Sequence, residues 1–234
     1  MSLAIVIPVY NEGDNILQTL DSIYTQVKTD KNVYIIYDFD GDSTLPVLKK
    51  KTYSNLHLMK NKYGRGVLNA IKTGLEDTKE DAVLVTMADG SDEYDGIDIM
   101  YGKIKQGFGI VVGSRYMRGG RQLGGPFVKS LMSRIAGVSA HYLSRIPTHD
   151  ISNSFRMYSR EVLRSTKIES TGGFELGMEI TVKAYIKGYK ITEIPTTWHD
   201  RAAGKSNFKL WKWLPSYLHW YFYLLKNLPF HSHR

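Results

Sequence analysis

An α/β fold with a mostly parallel sheet flanked by helices is what this 234-residue sequence predicts, and three observations carry the expectation. Short apolar runs recur at 3–10 (LAIVIPVY), 82–89 (AVLVTMAD) and 109–115 (GIVVGSR), without the alternation of a strand that has one wet face. Such runs read as strands buried on both sides. Helical patterns separate them, which is the signature of parallel strands joined by crossovers. Polar residues then follow the strands at Asn11, Asp38, Asp89 and Ser114, and ligands of open α/β sheets bind at those carboxyl ends.

The elements follow in order. Residues 3–10 form the first strand, closed by Asn11-Glu12-Gly13. Residues 14–26 place Ile16, Leu20 and Ile23 on one helical face, with Asp14 as the expected N-cap. Residues 32–40 read as a second strand ending in Asp38 and Asp40, with Asp40 and Asp42 as turn acids. A helix is expected over 66–77, a third strand over 82–89, a helix near 95–105 and a fourth strand over 109–115. No Gly-x-Gly-x-x-Gly follows the first strand, which disfavours a Rossmann dehydrogenase. No linker is evident before about residue 205, so 1–208 is taken as one domain and 209–234 as a C-terminal segment. That segment is rich in aromatics, and Pro215 is expected to break any continuous helix within it.

Composition narrows the classes. A chain that is 42% hydrophobic and 23% charged is an ordinary globular domain long enough for a full core. Cysteine is absent, so disulfides and thiolate metal sites are excluded. The first apolar run ends at Tyr10 with no basic region before it, so no secretory leader is expected in these residues. No stretch of about 20 apolar residues occurs, so no membrane span is expected. The net charge of +8 is unevenly placed. No acid lies between Ile99 and His149 or after Asp200, while Lys and Arg are frequent in both stretches. Basic patches of this kind suit phosphates, nucleic acid or an anionic membrane face.

Residues 85–97 (VTMADGSDEYDGI) pose the sharpest question. Asp89, Asp92, Glu93 and Asp95 fall within seven positions, and carboxylates this close repel one another unless a cation sits among them. The stretch is either a metal site at a strand end or a solvated acidic loop.

The ordered set IVIPVYNE, Asp38, NKYGRG, the acidic strand end at Asp89 and VVGSRYMRGG resembles family 2 glycosyltransferases of the GT-A fold. The later pieces, DISNSFRMYSREVL, GFELGMEI and GYKITEIPTTWHDRAAGKSNF, are similar to the polyprenyl-phosphate glycosyltransferases, dolichol-phosphate mannose synthases among them. The resemblance runs from about residue 3 to 208. It implies a divalent cation, Mg²⁺ or Mn²⁺, held by the acidic strand end. Where the family has Asp-Ala-Asp this chain has Met87-Ala88-Asp89, so Asp89 carries over and the first acid does not. Ser91 stands where the family often has Gln, and Asp92 is expected to supply the lost oxygen ligand. The resemblance further implies that Pro8, Tyr10, Asn11, Glu12, Asp38, Ala88, Asp89 and Ser91 hold the nucleotide sugar, with Arg201 on its diphosphate. It puts Arg115, Lys129 and Ser133 on an acceptor phosphate, with Lys129 replacing an Arg of close relatives by a point charge. Asp150 and Asn153 line the sugar side, with Glu179 on the helix below. Asp89, Arg115 and Arg201 form the expected catalytic set. Asp150 or Glu179 is alternatively a buried partner for Arg156.

The implied reaction is inverting transfer from a nucleotide sugar, of GDP-mannose or UDP-hexose type, to a polyprenyl phosphate. A sugar hydroxyl needs a general base to attack, whereas a phosphate monoester is already anionic at neutral pH. An abundance of Arg and Lys with no evident His base fits the phosphate. Two rivals remain: transfer to a saccharide or protein hydroxyl, with Glu175 or Glu179 as base, and a nucleotide-sugar-binding module whose altered metal motif has lost catalysis. The expected partners are the donor, the polyprenyl phosphate and a membrane surface at its cytoplasmic face, with no nucleic acid. The C-terminal segment reads either as an interfacial helix anchored by Trp, Tyr and Lys or as a helix packed on the core or a dimer contact.

Overall fold

The computed structural model describes residues 1–200 and 210–228. The strands are β1 (Leu3–Val9), β2 (Lys31–Tyr37), β3 (Leu56–Lys60), β4 (Ala82–Val85), β5 (Ile110–Ser114), β6 (Arg121–Leu123), β7 (Arg156–Ser159), β8 (Ile191–Pro195) and β9 (Thr197–His199). The helices are α1 (Asn15–Gln26), α2 (Thr44–Leu48), α3 (Val67–Asp77), α4 (Ile97–Lys105), α5 (Phe127–Ser144), α6 (Arg160–Ser165), α7 (Leu176–Ile186) and α8 (Leu210–Lys226).

A seven-stranded sheet in the order β3-β2-β1-β4-β7-β5-β8 forms the centre, and β6 and β9 pair beside it as a small ribbon. All pairings in the large sheet are parallel except those of β7, which runs antiparallel between β4 and β5. β1 shows why its run reads as continuous apolar. Ala4 and Val6 pack into one core and Leu3, Ile5, Ile7 and Val9 into the other, because successive side chains point to opposite faces. The first core is closed by α3, α7 and α8 through Leu68, Ile71, Ile180, Trp220 and Leu224. The second is closed by α1 and α4 through Ile16, Leu20, Ile23, Met100 and Ile104. Helix α3 crosses β1 so closely that a Cβ on Gly74 would lie 2.4 Å from Val6 Cγ1.

Several expectations need correction. β2 ends at Tyr37 and β4 at Val85, so Asp38, Asp40 and Asp89 stand in the loops beyond the strands. β4 is short because its partner β1 is matched only over Leu3–Val6, after which Thr86 turns its hydroxyl to Asp92. Asp14 holds the cap position of α1 without a side-chain cap bond; its backbone is already helical, which aims the carboxylate away from the first turn. Helix α8 runs straight through Pro215. The bond a proline removes here is the one to residue 211, a turn from the helix start, where exposure of Trp211 leaves that carbonyl within reach of water.

Candidate functional site

The ends of β1 and β2 are clasped together by side chains. Asn11 adopts a left-handed φ of 55°, which Asn tolerates better than most residues. Its N–H donates to Asp42 Oδ2 at 3.0 Å, and Ser43 N–H donates back to Asn11 Oδ1 at 3.1 Å. Asp42 also accepts from Thr44 N–H at 2.9 Å, while Glu12 N–H donates to Thr44 Oγ1 at 3.0 Å. Asp42 is therefore a turn acid that is buried and anchors the loop. Pro8 is buried within β1 opposite Ile36, and only its neighbour Tyr10 reaches the surface. The Tyr10 ring lies 5.9 Å from that of Phe39, and the Arg65 guanidinium sits 4.7 Å over Phe39. Together they make an aromatic and cationic shelf at the carboxyl end of the sheet.

Asp38 secures the 61–66 loop beside that shelf. Its Oδ1 accepts from Asn61 Nδ2 at 2.7 Å and its Oδ2 from Gly66 N–H at 3.0 Å. Gly66 is at φ 130°, a conformation open to glycine alone. The NKYGRG stretch is thus held in place by a carboxylate that keeps further acceptor capacity.

At the end of β4 the acids separate into different environments. Ser91 N–H donates to Asp89 Oδ1 at 3.2 Å, closing a short turn through Gly90. Ala88 is buried, and its carbonyl accepts from Thr19 Oγ1 at 2.9 Å. Asp92 is buried and accepts from Thr86 Oγ1 at 2.8 Å. Its carboxyl is pushed up to about 6: burial raises it, the Thr86 hydroxyl opposes, and the charge of Asp89 adds to the rise. The backbone around Asp92 is sealed by β9, with His199 N–H donating to Ser91 O at 2.9 Å. Glu93 is paired with His199 Nε2 at 3.0 Å. Asp92 is therefore an internal residue, bonded to Thr86 and close to the charge of Asp89. Ser91 Oγ is buried and has no hydrogen-bond partner among the described residues. Such an orphaned oxygen beside Asp89 fits a hard divalent cation, although no group of three His, Cys, Asp or Glu suited to a metal occurs among the described residues.

Arg115 follows β5 and is the centre of the third cluster. Its Nε donates to Asp150 Oδ2 at 2.7 Å and its Nη2 to Asp150 Oδ1 at 2.9 Å, a bidentate fork. Nη2 also reaches Ser133 Oγ at 3.1 Å and Ser152 Oγ at 3.2 Å. Tyr116 OH donates to Ser133 Oγ at 2.8 Å. Burial works against the charge on each partner, but the pairing outweighs it: the Arg115 pKa is raised and that of Asp150 lowered. Helix α5 brings Ser133 here because it lies almost against the 148–150 segment; a Cβ on Gly137 would sit 2.2 Å from His149 O. Lys129 lies one turn before Ser133 on the same helix, half-buried.

Asp150 and Asn153 support this cluster from below. Both are buried. Asn153 Nδ2 donates to Gly113 O at 2.7 Å and its N–H to Asp150 Oδ1 at 3.1 Å, so both brace the end of β5 and neither presents a free face to a sugar. Glu179 is also internal. It accepts from Glu169 N–H at 2.6 Å and Ser170 N–H at 2.9 Å, and pairs with Lys183 at 2.5 Å. Neither carboxylate hydrogen-bonds Arg156, although the Asp150 charge acts on it. Its Nη1 donates to Gly177 O and Thr181 Oγ1, and its Nη2 to the backbone carbonyl of Asp150. Arg201 lies outside the described residues. Sequence reasoning gave Asp42 only a turn role and missed Tyr116 and Ser152; these lie one and two positions from Arg115 and Asp150 in the chain, which was the available signal.

The fold has close counterparts among solved structures. Glucosyl-3-phosphoglycerate synthase from Mycobacterium tuberculosis in complex with UDP superposes with a TM-score of 0.71 at 14% identity, covering 96% of this chain and 80% of that one. Its complex with Mn²⁺, UDP and phosphoglyceric acid gives 0.68 at 17% identity, covering 96% and 77%. In sequence, the chain is 26% identical over 212 residues to polyprenol monophosphomannose synthase of Mycolicibacterium smegmatis, covering 86% of this chain and 79% of the relative. It is 26% identical over 221 residues to dolichol-phosphate mannosyltransferase of Pyrococcus furiosus, covering 89% of this chain and 60% of that longer relative. Residues 4–166, which span every cluster described from the β1–β2 clasp to the Arg115–Asp150 fork, match glycosyl transferase family 2, and the chain belongs to that family.

Proposed function

We propose that this glycosyltransferase moves a hexosyl group from a nucleotide sugar to a polyprenyl phosphate, with inversion at C1. The carrying observation is the placement of Arg115, Ser133 and Lys129 together, with the carboxylate that is bonded to Arg115 among the described residues already committed. That carboxylate, Asp150, has a lowered pKa and is locked in the Arg115 fork. Glu175 and Glu179, the bases a hydroxyl acceptor would need, are taken up by backbone N–H groups of Gly172, Gly173, Glu169 and Ser170. A phosphate nucleophile needs charge and positioning, not deprotonation. The two synthases similar in sequence carry polyprenol and dolichol phosphate chemistry in their names, which supports the same acceptor class.

In this reading the nucleotide lies on the Tyr10–Phe39 shelf beside Asn11, Glu12 and Asp38. Asp89 and Ser91 would hold a divalent cation, Mg²⁺ or Mn²⁺, which would supply positive charge on the diphosphate side. Arg115 Nη1, which makes no hydrogen bond among the described residues, faces the acceptor phosphate together with Lys129 and Ser133. An oxygen of that phosphate forms the new bond to C1, and the bond from C1 to the diphosphate oxygen breaks with its electron pair. No proton changes place. The protein works at the surface of a membrane, at its cytoplasmic face; among the described residues no helix is long and apolar enough to cross one.

A matrix of nucleotide sugars against a short-chain polyprenyl phosphate tests the proposal, with wild type beside Lys129→Gln. Lys129 is the better probe because removing Arg115 would also strand the buried Asp150. Losing one charge-assisted phosphate contact should slow transfer by about ten- to a hundredfold, with the donor Kd unchanged. Absence of transfer to polyprenyl phosphate from every donor, or transfer to a free hydroxyl that ignores Lys129, would refute the reading.

A further inference from the structure

The end of the sheet away from the site carries a second group of cations. Lys79 precedes β4 and Asp89 follows it. Helix α3, about 16 Å long, likewise separates Gly66, which is bonded to Asp38, from Thr78. Residues of α3, α6 and α7 line a cavity of about 570 Å³ there. Lys72, Lys79, Arg160, Arg164 and Lys167 line it, against one acid, Glu76. That acid is engaged elsewhere: its Oε2 is 3.0 Å from Lys62 Nζ and accepts from Tyr63 OH at 2.5 Å. Lys79, Arg164 and Lys167 form no salt bridge among the described residues. The Arg160 guanidinium is held in place by α3 and the loop after it. Its Nε donates to Glu80 O at 2.9 Å, its Nη1 to Leu75 O at 2.7 Å and its Nη2 to Thr78 Oγ1 at 2.9 Å. Burial lowers its pKa, the charge of Glu80 opposes, and the charge of Arg164 lowers it again.

We infer that this cavity binds a small, free phosphorylated compound, with Lys79, Arg164 and Lys167 on its phosphate oxygens. A second observation points the same way. Thr166 lines the cavity and is buried, and its Oγ1 has no hydrogen-bond partner among the described residues. Buried hydroxyls are rarely left without a partner, and a phosphate oxygen in the cavity supplies the missing acceptor. Five cations against one engaged acid leave charge for more than one phosphate group. No lining residue is aromatic, so the cavity lacks the stacking platform that a nucleic acid strand uses. The ligand is separate from the sugar donor, which belongs to the opposite end of the sheet, and the inference does not depend on the acceptor class.

The test is calorimetric titration of the full chain with inorganic pyrophosphate, in chelator so that no metal draws the probe to Asp89. Lys79→Ala/Arg164→Ala should weaken binding by about a hundredfold or more, because two charge-assisted contacts are lost. Both side chains are exposed, so the variant should fold as the wild type does. Thr166→Val should weaken binding by about three- to tenfold, with the melting temperature unchanged or higher. Lys103→Ala/Lys105→Ala removes two charges on α4, outside the cavity, and should leave pyrophosphate affinity unchanged. Sugar transfer by the cavity variant, without pyrophosphate, should equal that of the wild type, so this inference and the acceptor reading fail separately. A wild type that does not bind pyrophosphate would overturn the assignment, as would an unchanged affinity in the cavity variant or an equal loss in the α4 variant. So would a cavity variant that keeps pyrophosphate binding and loses binding to phosphatidylglycerol vesicles, since the cations would then serve a lipid headgroup.

Discussion

Asp92 and Asp150 are both buried, both lie in loops that carry the site, and titrate in opposite directions. Asp92 follows β4 with one hydroxyl donor, from Thr86, and a second acid, Asp89, nearby. Asp150 precedes β7 and accepts the bidentate fork of Arg115 together with Arg115 N–H at 3.1 Å. Burial penalises the charge of each. Arg115 offsets that penalty as a hydrogen-bonded fork at Asp150, but only as a minor charge at Asp92. Burial of a carboxylate therefore says little until its partner is known, and the same residue type serves as a paired strut in one loop and a weakly compensated acid in the other.

The largest effect should come from breaking the paired region. Asp150→Ala leaves the Arg115 guanidinium buried without its counter-charge, which should cost about 3–5 kcal/mol of stability by urea unfolding. A loss no larger than that of an exposed ion pair would mean that the fork is dispensable. The sign of its pH dependence follows from the lowered pKa of Asp150. Its contribution is fully present above the unfolded value of about 3.9 and is lost as pH falls through the folded value.

Asp92 should behave in the reverse sense and somewhat more weakly. Its folded value of about 6 lies above the unfolded one, so the native state holds the proton more tightly. Stability is then greatest below about pH 4 and declines as pH rises towards and through 6. Asp92→Asn should raise stability at pH 7 by roughly 2–3 kcal/mol, with the gain gone at pH 4. A melting-temperature difference that does not change with pH would show that burial does not raise the Asp92 carboxyl.

The smallest effect belongs to Ser91, whose buried hydroxyl lacks a partner. Ser91→Ala should leave stability unchanged or raise it by about 1 kcal/mol, because it removes an unsatisfied group. The same substitution should increase the Mg²⁺ or Mn²⁺ concentration needed for half-maximal donor binding, measured by titration calorimetry. A variant that loses stability and keeps its metal response would place Ser91 in the fold and outside the metal site.

Much of this contrast was hidden in the chain. Asp92 was read as a metal ligand and Asp150 as a sugar contact, since both are acids at strand ends near motifs of the family. What distinguishes them is distance in space to a cation that lies 35 positions from Asp150. The same limit applies to Glu179, whose partners include backbone N–H groups nine and ten positions away. Pairing of this kind leaves no periodic trace.

What the sequence determined by itself was the α/β class, four of the sheet's strands, the helices near 14–26, 66–77 and 95–105, the polar residues grouped at strand ends and the family. Each of these rests on local pattern: apolar periodicity, turn residues, and motifs read along a few consecutive positions. What only the tertiary structure decided was the antiparallel insertion of β7 between β4 and β5, which carries Asp150 under Arg115, and the burial of Asp92 beneath β9. The four residues of β7 are too short a run to announce a strand. Its direction depends on which neighbours have unpaired edges once the rest of the sheet has formed, and local chain chemistry does not encode that.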